Sequence, residues 1–350
     1  MADKPYEVGP IFSQGEGKSL GVRVTKGCNW NRCIFCPAYK GTDFEVRPLD
    51  DVLKDVDVAA DYEGDRFESA FLQDADPLIA GTQHLLAVMD RVKQRFPSIT
   101  RFLSYGRSHT LQRLGQDELA ELAAAGYYKV ARGVESGYDP LLRYIHKGAT
   151  ARIHIAAGQK VKEAGIVLSD CVMPGLGGDL ELEVGKPTWL YHVRETARVI
   201  NEVNPDILRL RTLIPVPGTI LGERYRAGLF NRLSDPEIVR EIRLLFESLD
   251  GITSNIDCNI VFNVLPELNG QMPEDKEKLL AGIDKYLAMS EEEQGAFRIG
   301  VVLSNRGGNI PPFFRLEQFK GTRKEKSLRI MRKLQRQGIK PEDYLMQVLT

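Results

Sequence analysis

Cysteine is scarce in this chain. There are five in 350 residues, Cys28, Cys33, Cys36, Cys171 and Cys258. An odd, sparse set does not make the disulfide framework of a secreted scaffold. Long apolar runs are also missing: none approaches the ~18 residues that span a bilayer, so no membrane span is expected. The opening MADKPYEVGPIF has no basic stretch followed by an apolar core, so no secretory leader is expected and a cytoplasmic location is the default. Neither charge sign is in excess. Lys+Arg 47 against Asp+Glu 48 leaves a net charge of −1, so no whole-protein field draws nucleic acid or anionic lipid. Internal repeats and low-complexity stretches are absent. What is present is globular composition, 43% hydrophobic and 27% charged. The length suits one large α/β domain with an appendage.

Short apolar runs rich in β-branched residues alternate with longer stretches of helical spacing. Strands are expected at 19–25, 69–72, 101–104, 129–133, 166–173 and 207–213. Helices are expected at 48–60, 82–96 (capped by Thr82), 117–125, 152–164, 188–203 and 234–249, the last opened by a Ser234/Glu237 capping box. Six strand–helix units in alternation imply parallel strands joined by crossovers. Six are too few to close an ordinary eightfold barrel, so the expected fold is α/β, a partial (β/α)6 TIM-like barrel or an open doubly wound sheet. Beyond residue 250 the pattern changes. One or two strands are expected in 252–264, a helix at 274–287, an irregular Gly/Pro-rich stretch over 295–319 and a basic helix at 324–336. The division is then an N-terminal extension 1–18, a core 19–250 and a C-terminal appendage 251–350.

Three cysteines fall within nine residues, in Gly27-Cys28-Asn29-Trp30-Asn31-Arg32-Cys33-Ile34-Phe35-Cys36, spacing C-x4-C-x2-C. Thiolates are soft ligands for zinc or an iron–sulfur cluster. Structural zinc wants a fourth protein ligand. The nearest histidine, His84, is a strand and two helical segments away. Three ligands would leave one iron of a cubane open to bind and orient a small molecule. The loop follows the first strand, at the strand ends where α/β chemistry sits.

A three-cysteine loop after the first strand, with an aromatic before the last cysteine, resembles the radical S-adenosylmethionine (SAM) superfamily, whose commonest spacing is one residue shorter in the first gap. With QDADPL, GVES and PGT downstream, GCNWNRCIFC resembles the branch holding anaerobic coproporphyrinogen oxidases and tRNA methylthiotransferases, over roughly residues 19–290. The resemblance implies a [4Fe–4S] cluster on Cys28, Cys33 and Cys36, and SAM on the open iron, cleaved to a 5′-deoxyadenosyl radical. It also implies a substrate, a small molecule ahead of RNA or a peptide, and a reductant such as flavodoxin or ferredoxin.

Carried over by position, Phe35 matches the aromatic packed near adenine. The turn Gln73-Asp74-Ala75-Asp76-Pro77 stands where relatives accept from the SAM ammonium, with Asp74 or Asp76 as candidate acceptors. Glu135 falls where relatives meet the ribose hydroxyls, and Lys147 where they face the SAM carboxylate. Ser104 is a weaker nucleoside candidate, as are Cys171 and Gly175-Leu176-Gly177-Gly178. Leu213–Thr219 ends the sixth strand, where backbone groups of relatives meet adenine. Each also has a plain reading: core aromatic, capping turn, loop ion pair, buried thiol.

Cys171 and Cys258 alone cannot hold a second cluster. That counts against methylthiotransferases, and an extension of about eighteen residues is too short for a cobalamin domain. Arg209 and Arg211 are candidates for a substrate carboxylate or phosphate, with Trp30 facing the same cavity. Asn305–Gly308 and Pro311–Phe314 are a candidate lid. From Arg315 to Lys340 there are ten Lys/Arg against two Glu, a solvated face or a surface for RNA or acidic lipid. The rival from another class is a non-catalytic iron–sulfur protein for electron transfer or redox sensing.

Overall fold

The structure, a computed structural model, describes residues 4–11, 18–304, 314–339 and 344. The chain divides into two compact units, one of residues 1–134 and 148–170, the other of 135–147 and 171–350.

The first unit is built on parallel strands β1 (Leu20–Arg23), β4 (Ser69–Gln73), β5 (Arg101–Tyr105) and β6 (Tyr127–Glu135), which ends at the boundary between the units. Leu20 pairs with Ala70 and Phe71 with Leu103. The register slips by one residue after Phe102, so Leu103 pairs with Lys129. The stretch expected as one strand over 19–25 breaks at Val24. Residues Thr25–Lys26 form β2, which turns aside to pair antiparallel with β3 (Glu45–Val46). This ribbon closes the base of the cysteine loop.

Helices α1 (Leu49–Glu63) and α2 (Thr82–Arg95) pack together, burying Val52, Val56 and Ala59 from one and Leu85, Val88, Met89 and Val92 from the other. Burying each of these Val, Leu and Met side chains contributes roughly 1.5–3 kcal/mol before chain entropy is set against it. Thr82 is not the cap of α2: Gly81 takes that place, and the Thr82 hydroxyl donates to Glu118 at 2.9 Å. After β5 come α3 (Ser108–Arg113) and α4 (Gln116–Ala124), and α3 packs on α6 (Ala151–Glu163).

Arg132 on β6 fixes α3 and α6 to the sheet. Its guanidinium pairs with both carboxylate oxygens of Asp170 on β7 (Val167–Val172) at 2.6 and 2.7 Å. It also donates to the His154 carbonyl at 2.6 Å and to the Ser108 hydroxyl at 3.3 Å. Neither Arg132 nor Asp170 has exposed side-chain surface.

In the second unit, α5 (Asp139–Tyr144) precedes Lys147. The N–H of Met173 donates to the Glu135 carbonyl, that of Arg211 to Val172 and that of Leu213 to Pro174, aligning the carboxyl ends of successive strands. Strand β8 (Ile207–Leu210) pairs parallel with β9 (Asn255–Asp257), Leu208 opposite Ile256. Antiparallel to β9 lies β10 (Gly270–Gln271). The parallel β/α alternation expected from periodicity is present, and β9 extends it by one parallel strand.

Around these strands lie α7 (Thr188–Val203), α8 (Ile220–Arg226), α9 (Asp235–Ser248), α10 (Lys276–Leu287), α11 (Glu291–Leu303) and α12 (Gly321–Arg336). Ser234 caps α9 together with Glu237, as its sequence requires. The irregular stretch expected at 295–319 is instead helical to Leu303. Ser290 and Glu293 form a capping box, and Gly300 sits against the Phe314 ring, where a Cβ would come within 2.7 Å. Here glycine marks a close approach rather than a helix break. The candidate lid at 305–308 and 311–313 lies outside the described residues.

Candidate functional site

The cysteine loop is anchored by side chains, because a loop without a ladder must find partners for its polar groups elsewhere. Gly27 opens it at φ +76, a left-handed conformation that glycine adopts without strain. Its N–H donates to Asp74 Oδ2 at 3.1 Å, and its carbonyl accepts from Ala75 N–H at 3.4 Å. Arg23 Nε reaches the same Asp74 oxygen at 3.0 Å and carries Glu7 on another arm.

Two residues on, Asn29 Nδ2 donates to Asp76 Oδ2 at 3.0 Å. Asp76 also accepts from the Thr110 hydroxyl and from the Arg107 N–H at 3.2 Å. Burial pushes the Asp76 carboxyl above its usual range, against the pull of Thr110, Arg107 and Asn29. Both candidate acceptors of the QDADP turn are thus fully buried and hold the loop. Tyr39, in the same loop, has its ionisation pushed up by burial and then by the Asp74 charge.

Within the loop the four-residue gap is turned by Asn31, at φ +47, a region asparagine tolerates. Its N–H points at Cys28 Sγ, 3.4 Å away, and its side chain donates to the Tyr39 carbonyl at 2.8 Å. Ile34 is the buried anchor, while Cys28, Cys33, Cys36 and Phe35 are half-buried. Trp30 is flanked by the guanidinium groups of Arg32 and Arg107, 5.0 and 5.1 Å from its ring. Gly148 abuts the indole so closely that a Cβ would fall 2.5 Å from it.

Among the described residues, no three His, Cys, Asp or Glu side chains are grouped to hold one metal ion. A tetrahedral zinc needs its ligands about 2.0–2.3 Å from a single ion, whereas a cubane takes each thiolate on a different iron. Three half-buried thiols on one anchored loop supply the soft donors that an iron–sulfur cluster takes.

Ser104 is buried on β5, where its hydroxyl is engaged with the Tyr127 hydroxyl and the Tyr105 carbonyl. In the second unit, Glu135 and Lys147 come together: Lys147 Nζ donates to Glu135 Oε1 at 3.0 Å. Glu135 holds φ +63, and the Lys147 N–H is fixed to the Leu142 carbonyl of α5. Burial, then the Glu135 charge, pushes the Cys171 thiol up to about 12, with Arg211, Arg209 and Lys147 opposing. Arg209 pairs with Asp257 of the neighbouring strand at 3.1 Å, and Arg211 donates to the Leu210 carbonyl.

The Gly175 turn also belongs to this unit. Its N–H donates to Glu241 Oε1 at 2.8 Å. His192 lies 3.5 Å from the same oxygen. His192 Nε2 faces the Met173 carbonyl at 3.1 Å and must donate there, so Nδ1 accepts from Ser136. Arg107, His192 and Glu241 lie outside the motifs, and the partner of Asn29 within its motif is seen only in the fold.

The Radical SAM superfamily profile matches residues 22–182. The chain is 25% identical over 129 residues to the tRNA uridine(34) acetyltransferase of Methanocaldococcus jannaschii, covering 37% of this chain and 23% of that protein. It therefore spans under a quarter of that relative's length. Among solved structures it resembles the cobalamin-dependent S-adenosylmethionine radical enzyme OxsB, with TM-score 0.50 and 13% identity over 94% of this chain and 52% of that one. It also resembles coproporphyrinogen III oxidase (HemN) from Escherichia coli, a radical SAM enzyme, with TM-score 0.48 and 16% identity over 66% and 52% of the two chains. At 13% identity the likeness to OxsB concerns the fold alone. Among the described residues no helix is long and apolar enough to cross a membrane.

Proposed function

The chain belongs to the radical SAM superfamily, whose members use a [4Fe–4S] cluster and SAM, and from that premise we propose that Cys28, Cys33 and Cys36 hold the cluster. When bound, it supplies the electron that cleaves SAM to methionine and a 5′-deoxyadenosyl radical, which takes hydrogen from the substrate. The carrying observation is the loop itself, three half-buried thiols tied down at Gly27 and Asn29 by two buried aspartates.

The protein's part is position. Asp74 and Asp76 fix where the thiols stand. Asp74 or Asp76 of the Gln73–Pro77 turn would accept from the SAM ammonium, and Phe35 would pack near adenine. Glu135 would offer a carboxylate to the ribose hydroxyls and Lys147 a cation to the SAM carboxylate, with Ser104 as a weaker nucleoside contact. The substrate is a small metabolite or cofactor precursor, and the electron comes from a reductant such as flavodoxin or ferredoxin. RNA is the second substrate reading, favoured by the likeness to the Methanocaldococcus tRNA uridine(34) acetyltransferase.

The test uses anaerobic, reconstituted protein with dithionite and SAM, followed for 5′-deoxyadenosine and methionine. Formation of both, lost with Cys33→Ala, supports the reading. No nucleoside from protein with a full cluster, and an electron-spin-resonance signal unmoved by SAM, would leave a non-catalytic iron–sulfur protein for electron transfer or redox sensing.

A further inference from the structure

Helix α12 carries seven Lys/Arg and one acid, Glu325. Its inner side is made by Ser327, Met331 and Leu334, buried where α12 packs on α11. Two of the cations are neutralised across that contact, Lys324 by Glu293 and Arg332 by Glu292. The remaining five, Arg323, Lys326, Arg329, Lys333 and Arg336, are exposed and make no ion pair among the described residues. Their steps of three, three, four and three place them on one strip. At ~1.5 Å per residue the strip is about 20 Å long.

Like charges at these spacings repel by a few tenths of a kcal/mol per pair. A linear polyanion lying along the strip would relieve that repulsion. We propose that the outer face of α12 docks the phosphodiester backbone of a single-stranded nucleic acid. A membrane fits less well, because a surface helix grips lipid by inserting its apolar side, and that side is occupied by α11. The strip contains no aromatic residue on which bases could stack, so the contact is electrostatic and indifferent to sequence. It is also local, since the whole chain is near neutral.

The test is fluorescence anisotropy of the reconstituted full chain with a labelled oligouridine of about 20 nucleotides. Five phosphate contacts on a single strand predict a slope of log K against log salt of about −3.5. The variant R323Q/K326Q/R329Q/K333Q/R336Q keeps helix propensity; it should bind about tenfold or more weakly, with a slope near zero. The smaller variant R329Q/K333Q, checked with it for unchanged thermal melting, should fall between. Unchanged binding by the fivefold variant would overturn the proposal. So would binding to phosphatidylserine vesicles with none to the oligonucleotide. No SAM is needed, so this result and the outcome of the SAM-cleavage assay are independent.

Discussion

Asp76 in the first unit and Glu241 in the second are both all but hidden from solvent, at 0% and 2% exposure. Asp76 receives three donors, from Asn29, Thr110 and Arg107. Among the described residues Glu241 receives one, from Gly175, and its Oε2 has no hydrogen-bond partner. Burial pushes both carboxyls up, Glu241 to about 8. A buried carboxyl with several donors works as a clamp and resists removal. One with a single donor gives up its charge more easily than it holds its neighbours. The first arrangement surrounds the cysteine loop, and the second sits behind the Gly175 turn.

The strongest way to break this contrast is to cut a saturated charge. Asp170→Ala strands the Arg132 guanidinium, which has no exposed surface. Removing one partner of a buried pair costs about 3–5 kcal/mol. Chemical denaturation should show that loss. The double variant R132M/D170L should recover much of it, and a double variant no better than the single would mean the pair's geometry, not its charge, holds α3 and α6.

Next in size is Asp76→Ala. Each buried donor left unpaired costs about 1–3 kcal/mol. Asn29 and Arg107 are only half-buried and can recruit water, so we expect a loss on the order of 2–3 kcal/mol. Iron and acid-labile sulfide per chain after reconstitution should fall with it, because Asn29 sits beside Cys28. Full cluster content in a destabilised Asp76→Ala protein would mean that the loop does not need its clamp to hold metal.

How far these features could be read from sequence depends on how local they are. The cysteine spacing and the alternation of strand and helix are written within windows of ten or fifteen residues, and both are found in the fold. Strand limits were less legible: β6 runs two residues past each end of its apolar run, and β8 stops three residues short. Helix α11 was hidden because Gly295 and Gly300 resemble breaks until Phe314 is seen against Gly300. The short helices α3, α5 and α8 are too brief to show a period. Arg107 meets Asp76 through a backbone N–H, which leaves no trace in residue identity. Glu241 did leave one: it lies among Ile238, Ile242 and Leu245 on the apolar stripe of α9, and a carboxylate on such a stripe marks a buried polar group.

The smallest expected effect tests the unsaturated side of the contrast. Glu241 ionises near 4.5 when unfolded and at about 8 in the fold, raised chiefly by burial. Its contribution is complete below pH 4.5 and is lost as pH rises toward 8. His192 goes the other way, lowered from 6.5 to about 4 by burial. Its contribution is complete above pH 6.5 and is lost as pH falls toward 4. The two slopes oppose each other between about 4.5 and 6.5, leaving Glu241 alone between 6.5 and 8. Glu241→Gln keeps an acceptor for the Gly175 N–H and removes the titration. Its melting temperature should rise relative to that of the parent as pH goes from 6.5 to 8, because the parent loses the Glu241 contribution over that window and the variant does not. A difference that stays constant with pH would mean that Glu241 is already charged in the fold, and that the cavity of about 10 Å³ beside it, lined by His192, Thr196 and Val172, solvates the carboxylate as well as three donors solvate Asp76.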